Sequence, residues 1–402
     1  MRVPEVPAGT LPRAAVGRYH DLRPPTRPSD PGPNMPNAAP GRPDSWAPYM
    51  TWAKHHPHAR YDLCGSNLLH CSLDDLPGSR EALELAVRND DGYPPLVQAI
   101  AERYGVAPER VTTASGAAGA TFLVLGALVR PGDTILAEWP GYDPQTGAAR
   151  FLGANVRMFD RAWSDGFQVD PDRVARELTS TTRVIMLTNL HNPSGVYADP
   201  SALAAVGEMA EAVGAKVLVD EVYLEAVQGA DTTPAATRGD VFVTVNSLTK
   251  SFGLAGLRLG WVIADPGTVE AVRRVRDVVD GTGAAPSERL GLLAFEHIDG
   301  LLERARAILE PHWALLERFV ESRPELEWVP PTVGSCVAFP RLAGVGDAGP
   351  FVDMARDEFG VGLVPGRFFG AAAHFRIAIG GERRTLEDGI EALGRALDKG
   401  MS

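Results

Sequence analysis

The chain has 402 residues, 45% hydrophobic and 22% charged, and its 39 basic and 51 acidic side chains leave a net charge of −12. That length can bury more than one layered core, and the acidic balance argues against nonspecific nucleic-acid binding or an anionic membrane as partner. No run approaches the roughly 18–20 apolar residues of a spanning helix, no charged-then-apolar leader opens the chain, and the three cysteines, Cys64, Cys71 and Cys336, are too few for a disulfide framework, so a cytoplasmic protein is expected.

Residues 1–60 hold thirteen of the 33 prolines. Proline fixes φ and removes a donor, so Arg23–Asp44 should be extended or disordered. Trp46, Tyr49, Met50 and Trp52 close this segment, which reads either as a solvated tail or as an arm anchored on a partner subunit. The cluster His55-His56-Pro57-His58 lacks a partnering strand or helix, so a solvated or subunit-contact role is expected and no metal site. Cys64, His70 and Cys71 have no zinc-like spacing.

From residue 111 the chain alternates short apolar runs with helical stretches. Strands are expected at Val111–Thr113, Thr134–Glu138, Val184–Thr188, Lys216–Asp220 and Val241–Asn246, and helices at Ala117–Val129 and Pro200–Val213. This is the α/β pattern of a mostly parallel, buried sheet, assigned to a large domain over 61–290. A long helix follows from Ser287 to about Glu321 with a break or kink at Pro311. Strands at Trp328–Val329, Cys336–Phe339 and Phe375–Ile379, with helices at Pro350–Glu358 and Thr385–Leu397, make a smaller α+β domain over 291–402.

Ligands of such sheets sit beyond the carboxyl ends of the strands. There Asp220 would suit a cationic ring nitrogen, unless it only caps the next helix, and Tyr223 offers a phenol. Asn192, in the turn Asn189-Leu-His-Asn-Pro-Ser-Gly195, can donate through its amide or simply shape the turn. Ser115, Gly116 and Ala117 open a helix, where free N–H groups attract phosphate, although small residues there also permit close packing. In Ser247-Leu-Thr249-Lys250-Ser251-Phe-Gly-Leu-Ala-Gly-Leu-Arg258 two hydroxyls and an arginine could hold a phosphate. Lys250, one of only four lysines with Lys54, Lys216 and Lys399, is the amine that could attack a carbonyl. No Gly-x-Gly-x-x-Gly follows a strand, so a dinucleotide fingerprint is absent.

The turn ending in Pro-Ser-Gly195, the run Asp220-Glu-Val-Tyr223 and the segment 247–260 together resemble the class I/II aminotransferases, pyridoxal-phosphate enzymes of fold type I. The order and spacing of these motifs run through most of 61–400. The resemblance implies pyridoxal 5'-phosphate as cofactor and a homodimer, and a role for each matched position. Lys250 would form the Schiff base and then shuttle a proton. Asp220 would pair with the pyridine nitrogen, and Asn192 and Tyr223 would bond the ring hydroxyl oxygen. Ser115, Gly116, Ala117, Ser247, Thr249 and Arg258 would bind the phosphate. Tyr142 would stack on the ring, Arg376 would grip the substrate α-carboxylate, and Gly65 would lie on the substrate side.

The implied activity is transfer of an amino group between an amino acid with a free α-carboxylate and a 2-oxo acid. Val87 stands where family members often place a tyrosine reaching the partner's phosphate, and Val97 where arginine is common. The same framework also supports elimination, decarboxylation or oxidative deamination of an amino acid. A non-catalytic regulator on this fold would carry a DNA-binding helix-turn-helix, for which the proline-rich N-terminus leaves no counterpart.

Overall fold

The computed structural model describes residues 46–400. The stretch Arg23–Asp44, expected to be extended, lies outside them. Within them the fold is organised by a seven-stranded sheet. Its strands in chain order are β1 (Val111–Ser115), β2 (Thr134–Trp139), β3 (Asn155–Asp160), β4 (Thr182–Thr188), β5 (Lys216–Asp220), β6 (Phe242–Ser247) and β7 (Leu259–Ile263). They lie in the order β1-β7-β6-β5-β4-β2-β3. Only β7 runs antiparallel to its neighbours, β1 and β6. The mostly parallel α/β sheet expected from the apolar runs is therefore present.

Two of these strands were not expected. β3 is an edge strand whose side chains alternate between exposed and half-buried over most of its length, so it lacks the continuous apolar run of an interior strand. β7 lies inside the glycine-rich stretch read as part of a ligand loop. Its insertion between β1 and β6 needs glycine: a Cβ on Gly260 would come 2.5 Å from the Gly116 carbonyl carbon and 2.8 Å from the Asn246 carbonyl oxygen.

Side chains along each strand alternate between two cores. Val184 and Met186 of β4, Leu218 of β5 and Val243 of β6 pack against the helices Gly116–Leu128 and Pro266–Val279. Ile185, Leu187, Val217 and Val219 pack on the other face against the helix Pro200–Val213. With both faces covered, functional side chains find solvent-accessible space only at the strand ends.

The C-terminal third builds a second core around the helix Ile298–Glu321 and a small sheet of Val337–Ala338, Phe375–Ala378 and Val364–Pro365. Leu190, Val222 and Tyr223, just past the ends of β4 and β5, belong to this core. The helix break falls at His297, between Ala285–Glu296 and Ile298–Glu321, and not at Pro311, which lies inside the second helix. Proline there gives up the bond to the Ala307 carbonyl, but the buried face of Leu301, Leu302, Ala305, Leu309, His312 and Leu316 runs unbroken past it. The strand expected at Trp328–Val329 is instead Leu326–Glu327, paired with Arg341–Leu342.

A helix at Pro48–His55 precedes the sheet. Its Tyr49 is buried in this chain's own aromatic cluster with Phe339 and Phe369, so these residues are neither a solvated tail nor given over to a partner alone.

Candidate active site

The carboxyl ends of β4, β5 and β6 deliver Thr188, Asp220 and Ser247 to one edge of the sheet. A cavity of about 390 Å³ opens there, and Lys250, Asp220, Tyr223, Asn192 and Tyr142 line it. Gly65, Ala117, Ser247, Thr249 and Arg258 complete the expected residues on its wall. Ser115 and Gly116 sit directly behind Ala117, and Arg376 lies behind Asn192, to which it is bonded. All thirteen expected site residues thus gather in one place.

Lys250 is half-buried three residues beyond β6. Its Nζ donates to Ser66 Oγ at 2.7 Å and Asn67 Oδ1 at 2.8 Å and stands 5.9 Å from the centre of the Tyr223 ring. Burial first, and then the nearby Arg376 cation, lower its pKa to about 8. A substantial fraction of the amine is therefore neutral near physiological pH, which a nucleophile or a base requires.

Asp220 is buried, and burial raises its pKa to about 6 despite hydrogen bonds from the Val222 N–H and Gln145. Gln145 Nε2 donates to Asp220 Oδ2 at 2.8 Å. Sequence reasoning missed Gln145. It sits in the first turn of the helix Asp143–Phe151, three residues after Tyr142, and that spacing on a helix start was the only local signal available. A cation placed opposite Asp220 would offset its burial. The Tyr223 hydroxyl is buried with no well-formed hydrogen bond among the described residues, the Ser66 hydroxyl being its polar neighbour. An orphaned phenol facing a cavity calls for an oxygen or nitrogen from outside the chain.

The other end of the cavity suits an anion. The helix Gly116–Leu128 starts without a side-chain cap, leaving its first N–H groups free of side-chain acceptors. Arg258 adopts a left-handed backbone, φ +51°, and its guanidinium lies against that helix start. A Cβ on Gly116 would come within 2.5 Å of Arg258 Nη2, and Gly116 itself has φ +69°. Ser247 is buried next to them, its Oγ 3.4 Å from the Thr249 N–H. Amides, hydroxyls and a guanidinium converging at a helix N-terminus form a phosphate cradle.

Arg376 is fully buried on the substrate side. Nη1 donates to Asn192 Oδ1 at 3.0 Å, and Nη2 donates to the Tyr49 hydroxyl at 2.5 Å and the Cys64 carbonyl at 3.2 Å, while Nε has no partner. The guanidinium lies between the rings of Tyr49 and Phe369, 5.1 and 4.9 Å from their centres. Tyr49 is the second residue that the motifs did not flag, and its aromatic neighbourhood was the one available clue. Tyr142 faces Tyr49 edge-on at 5.9 Å. Among the described residues no helix is long and apolar enough to cross a membrane.

Amine, acidic anchor, orphaned phenol and phosphate cradle in one cavity match the functional groups of pyridoxal phosphate: aldehyde, pyridine nitrogen, ring hydroxyl and phosphate ester. Comparison with known proteins agrees. A family model described as aminotransferase class I and II matches residues 87–393. The chain is 29% identical over 374 residues to capreomycidine synthase from Streptomyces vinaceus, covering 87% of this chain and 93% of that protein. It is 31% identical over 317 residues to a histidinol-phosphate aminotransferase from Halobacterium salinarum, covering 75% and 81%. The crystal structure of a PLP-dependent aminotransferase from Streptococcus suis superposes with a TM-score of 0.83 at 28% identity, covering 89% of this chain and 98% of that one. As its motifs implied, the chain belongs to the aminotransferase class I and II family and is a pyridoxal-phosphate-dependent transferase on the fold type I architecture.

Proposed function

We propose that the protein moves the amino group of an amino acid with a free α-carboxylate to a 2-oxo acid, with Lys250 as the working amine. One observation carries this reading: the Lys250 amine shares its cavity wall with Asp220 and feels both that carboxylate and the Arg376 cation. Bound there, pyridoxal phosphate supplies an electron sink that stabilises negative charge at the substrate Cα. Asp220, oriented by Gln145, would hold a proton on the ring nitrogen. Tyr223 and Asn192 would bond the ring oxygen, and Tyr142 would cover the ring face. Ser115, Gly116, Ala117, Ser247, Thr249 and Arg258 would hold the phosphate.

Arg376 would take the α-carboxylate with Gly65 alongside, fixing the Cα–H bond toward Lys250. Orientation of that kind lowers barriers by up to roughly 7–11 kcal/mol. Lys250 Nζ would then remove the Cα proton and deliver it to the carbon on the other side of the transferred nitrogen. The test is half-reaction spectroscopy. Amino acids should convert the bound cofactor to its pyridoxamine form with release of the 2-oxo acid, whereas release of ammonia, CO₂ or a side-chain fragment would overturn the reading. Such an outcome is the second reading, favoured by one observation: a relative matched over most of its length is named as a synthase rather than an aminotransferase.

We further propose a cytoplasmic homodimer, in which 61–290 form the cofactor-binding domain and 291–402 the smaller one. The exposed Leu85 and Val278, 90% and 86% accessible in the single chain, support a subunit contact. Sedimentation of the purified protein as a monomer would exclude it.

A further inference from the structure

The cluster His55-His56-Pro57-His58 reads in the sequence as solvated or as a subunit contact. In the structure its members part company. His55 and His58 are exposed, while His56 is half-buried directly after the helix Pro48–His55. Its ring stacks on Trp52 with centroids 4.2 Å apart. Nδ1 lies 3.2 Å from the carbonyl oxygens of both Trp52 and Ala53. Carbonyls only accept, so the neutral ring carries its proton on Nδ1 and its lone pair on Nε2. That Nε2 is buried, and among the described residues nothing bonds to it.

Two further metal-ligand groups lie beside the ring. His56, the Asp62 carboxylate and the Cys64 thiol bring one ligand atom each to within 4.8 Å of one another. The geometry points to a divalent transition-metal site formed by His56, Asp62 and Cys64, with the nitrogen, oxygen and sulfur donors that zinc accepts.

The supporting shell is built for this. A metal-binding histidine characteristically donates its other ring N–H to a backbone carbonyl, which fixes the tautomer and the ring orientation. Asp62 is held in register by the pairing of Tyr61–Asp62 with Val361–Gly362, and its Oδ1 accepts the Cys64 N–H at 2.9 Å. The floor is backbone: a Cβ on Gly362 would sit 3.2 Å from Cys64 Sγ and 3.4 Å from Asp62 Oδ1. A tetrahedral zinc with bonds of about 2.0–2.3 Å spaces its ligands about 3.3–3.8 Å apart. Ligand atoms that start within 4.8 Å of one another therefore close by at most about 1–1.5 Å, with the fourth position left to water. On binding, the Cys64 sulfur gives its proton to solvent and bonds the ion.

None of the three residues lines the cofactor cavity, so the site stands apart from the proposed chemistry. It does meet the supports of Arg376. His56 follows the helix that carries Tyr49, and the Cys64 carbonyl accepts from Arg376 at 3.2 Å. An ion here would tie those two supports together.

The test uses the full-length, cofactor-loaded protein, stripped by a chelator and dialysed against Zn²⁺ alone or Mg²⁺ alone. One zinc per chain and no magnesium should be retained. His56→Gln and Cys64→Ser should each weaken zinc binding at least about tenfold, while His55→Gln should not, with circular dichroism confirming the fold of each. Co²⁺ on the wild-type protein should give a near-ultraviolet thiolate charge-transfer band that Cys64→Ser loses. No retained zinc, equal retention by all variants, or cobalt bound without that band would each overturn the site.

Discussion

Arg376 Nη2 holds the Tyr49 hydroxyl at 2.5 Å while Nη1 holds Asn192 Oδ1 at 3.0 Å, so both arms of the guanidinium fork are engaged by the protein before any carboxylate arrives. A substrate must displace that hydroxyl or share the arm with it. Tyr49→Phe frees one N–H of Nη2 and leaves that group with only the Cys64 carbonyl at 3.2 Å. Thermal stability should fall by about 1–3 kcal/mol, and KM for the amino acid should fall several-fold because the carboxylate no longer competes with the hydroxyl for that N–H. Arg376→Lys, which loses the bidentate fork, should raise KM about 10–100-fold. Steady-state kinetics on both variants decide the matter, and a raised KM in Tyr49→Phe would mean that the hydroxyl itself binds substrate.

Lys250 carries a pH signature. Burial and Arg376 lower its pKa from 10.5 to about 8. Below about pH 8 the amine is charged in both the folded and unfolded cofactor-free chain, and burying that charge costs stability. Between about 8 and 10.5 the unfolded chain holds more protons, so stability rises with pH, and above that window the cost is gone. Lys250→Met should accordingly gain about 2–3 kcal/mol relative to wild type below pH 8, with the gain shrinking toward pH 10.5. Denaturant titrations of the two cofactor-free proteins at several pH values measure it. Lys250→Ala should also abolish the adduct trapped by borohydride. In the wild type, the rate of cofactor capture should climb with pH and level off above about 8.

What the sequence revealed of the fold and the site follows from how local the physics is. Asp220 and Ser247 were legible because each ends a short apolar run, Val217–Val219 and Val241–Val245, and strand ends are where parallel sheets bind ligands. Gln145 was not, because its role is set by a partner 75 residues away across the sheet. The glycines of β7 obscure its strand pattern, and only pairing with β1 and β6 makes Leu259–Ile263 a strand. The break at His297 was misplaced to Pro311 because proline is a local signal, whereas the continuity of the helix past it depends on a buried face contributed by the whole C-terminal core.

The pair Asp220 and Gln145 separates tuning from positioning. Asp220 has its pKa raised to about 6 in the cofactor-free protein, so the folded chain binds the extra proton between 3.8 and about 6 and loses stability as pH rises through that window. Asp220→Asn should remove a cost of about 2–3 kcal/mol at pH 7 in the cofactor-free form. Loaded with cofactor, it should lose about 10²–10³-fold in kcat, because the charge that holds the ring proton is gone. Gln145→Leu should cost less, about 10–100-fold, and should shift the pH dependence of the cofactor's absorption. An unshifted spectrum with lowered activity would make Gln145 structural only.

Gly116 and Arg258 share a contact that any added side chain would displace. A methyl group on Gly116 would meet Arg258 Nη2 at 2.5 Å, on a backbone with φ +69°. The guanidinium is the flexible end of a side chain, so Gly116→Ala should fold, with strain of about 1–2 kcal/mol, and push Arg258 off the helix start. Affinity for pyridoxal phosphate should drop at least about tenfold, while affinity for pyridoxal, which lacks the phosphate, should stay within experimental error. Equilibrium dialysis with both compounds distinguishes loss of the phosphate contact from general damage to the cavity.

Tyr223 gives a prediction of opposite sign with and without cofactor. Its hydroxyl is buried with no well-formed hydrogen bond among the described residues, beside Ser66, and burial pushes its pKa up, so it stays a neutral donor. In the cofactor-free protein, Tyr223→Phe removes an unsatisfied polar group and should raise stability by about 1–2 kcal/mol. With cofactor bound, the same change removes a donor to the ring oxygen and should lower stability and loosen the cofactor by a similar amount. Melting curves of wild type and variant, each with and without pyridoxal phosphate, should cross over. A loss in both states would show that the hydroxyl has a partner of its own in the folded chain, and a gain in both would show that the ring oxygen is held by Asn192 alone.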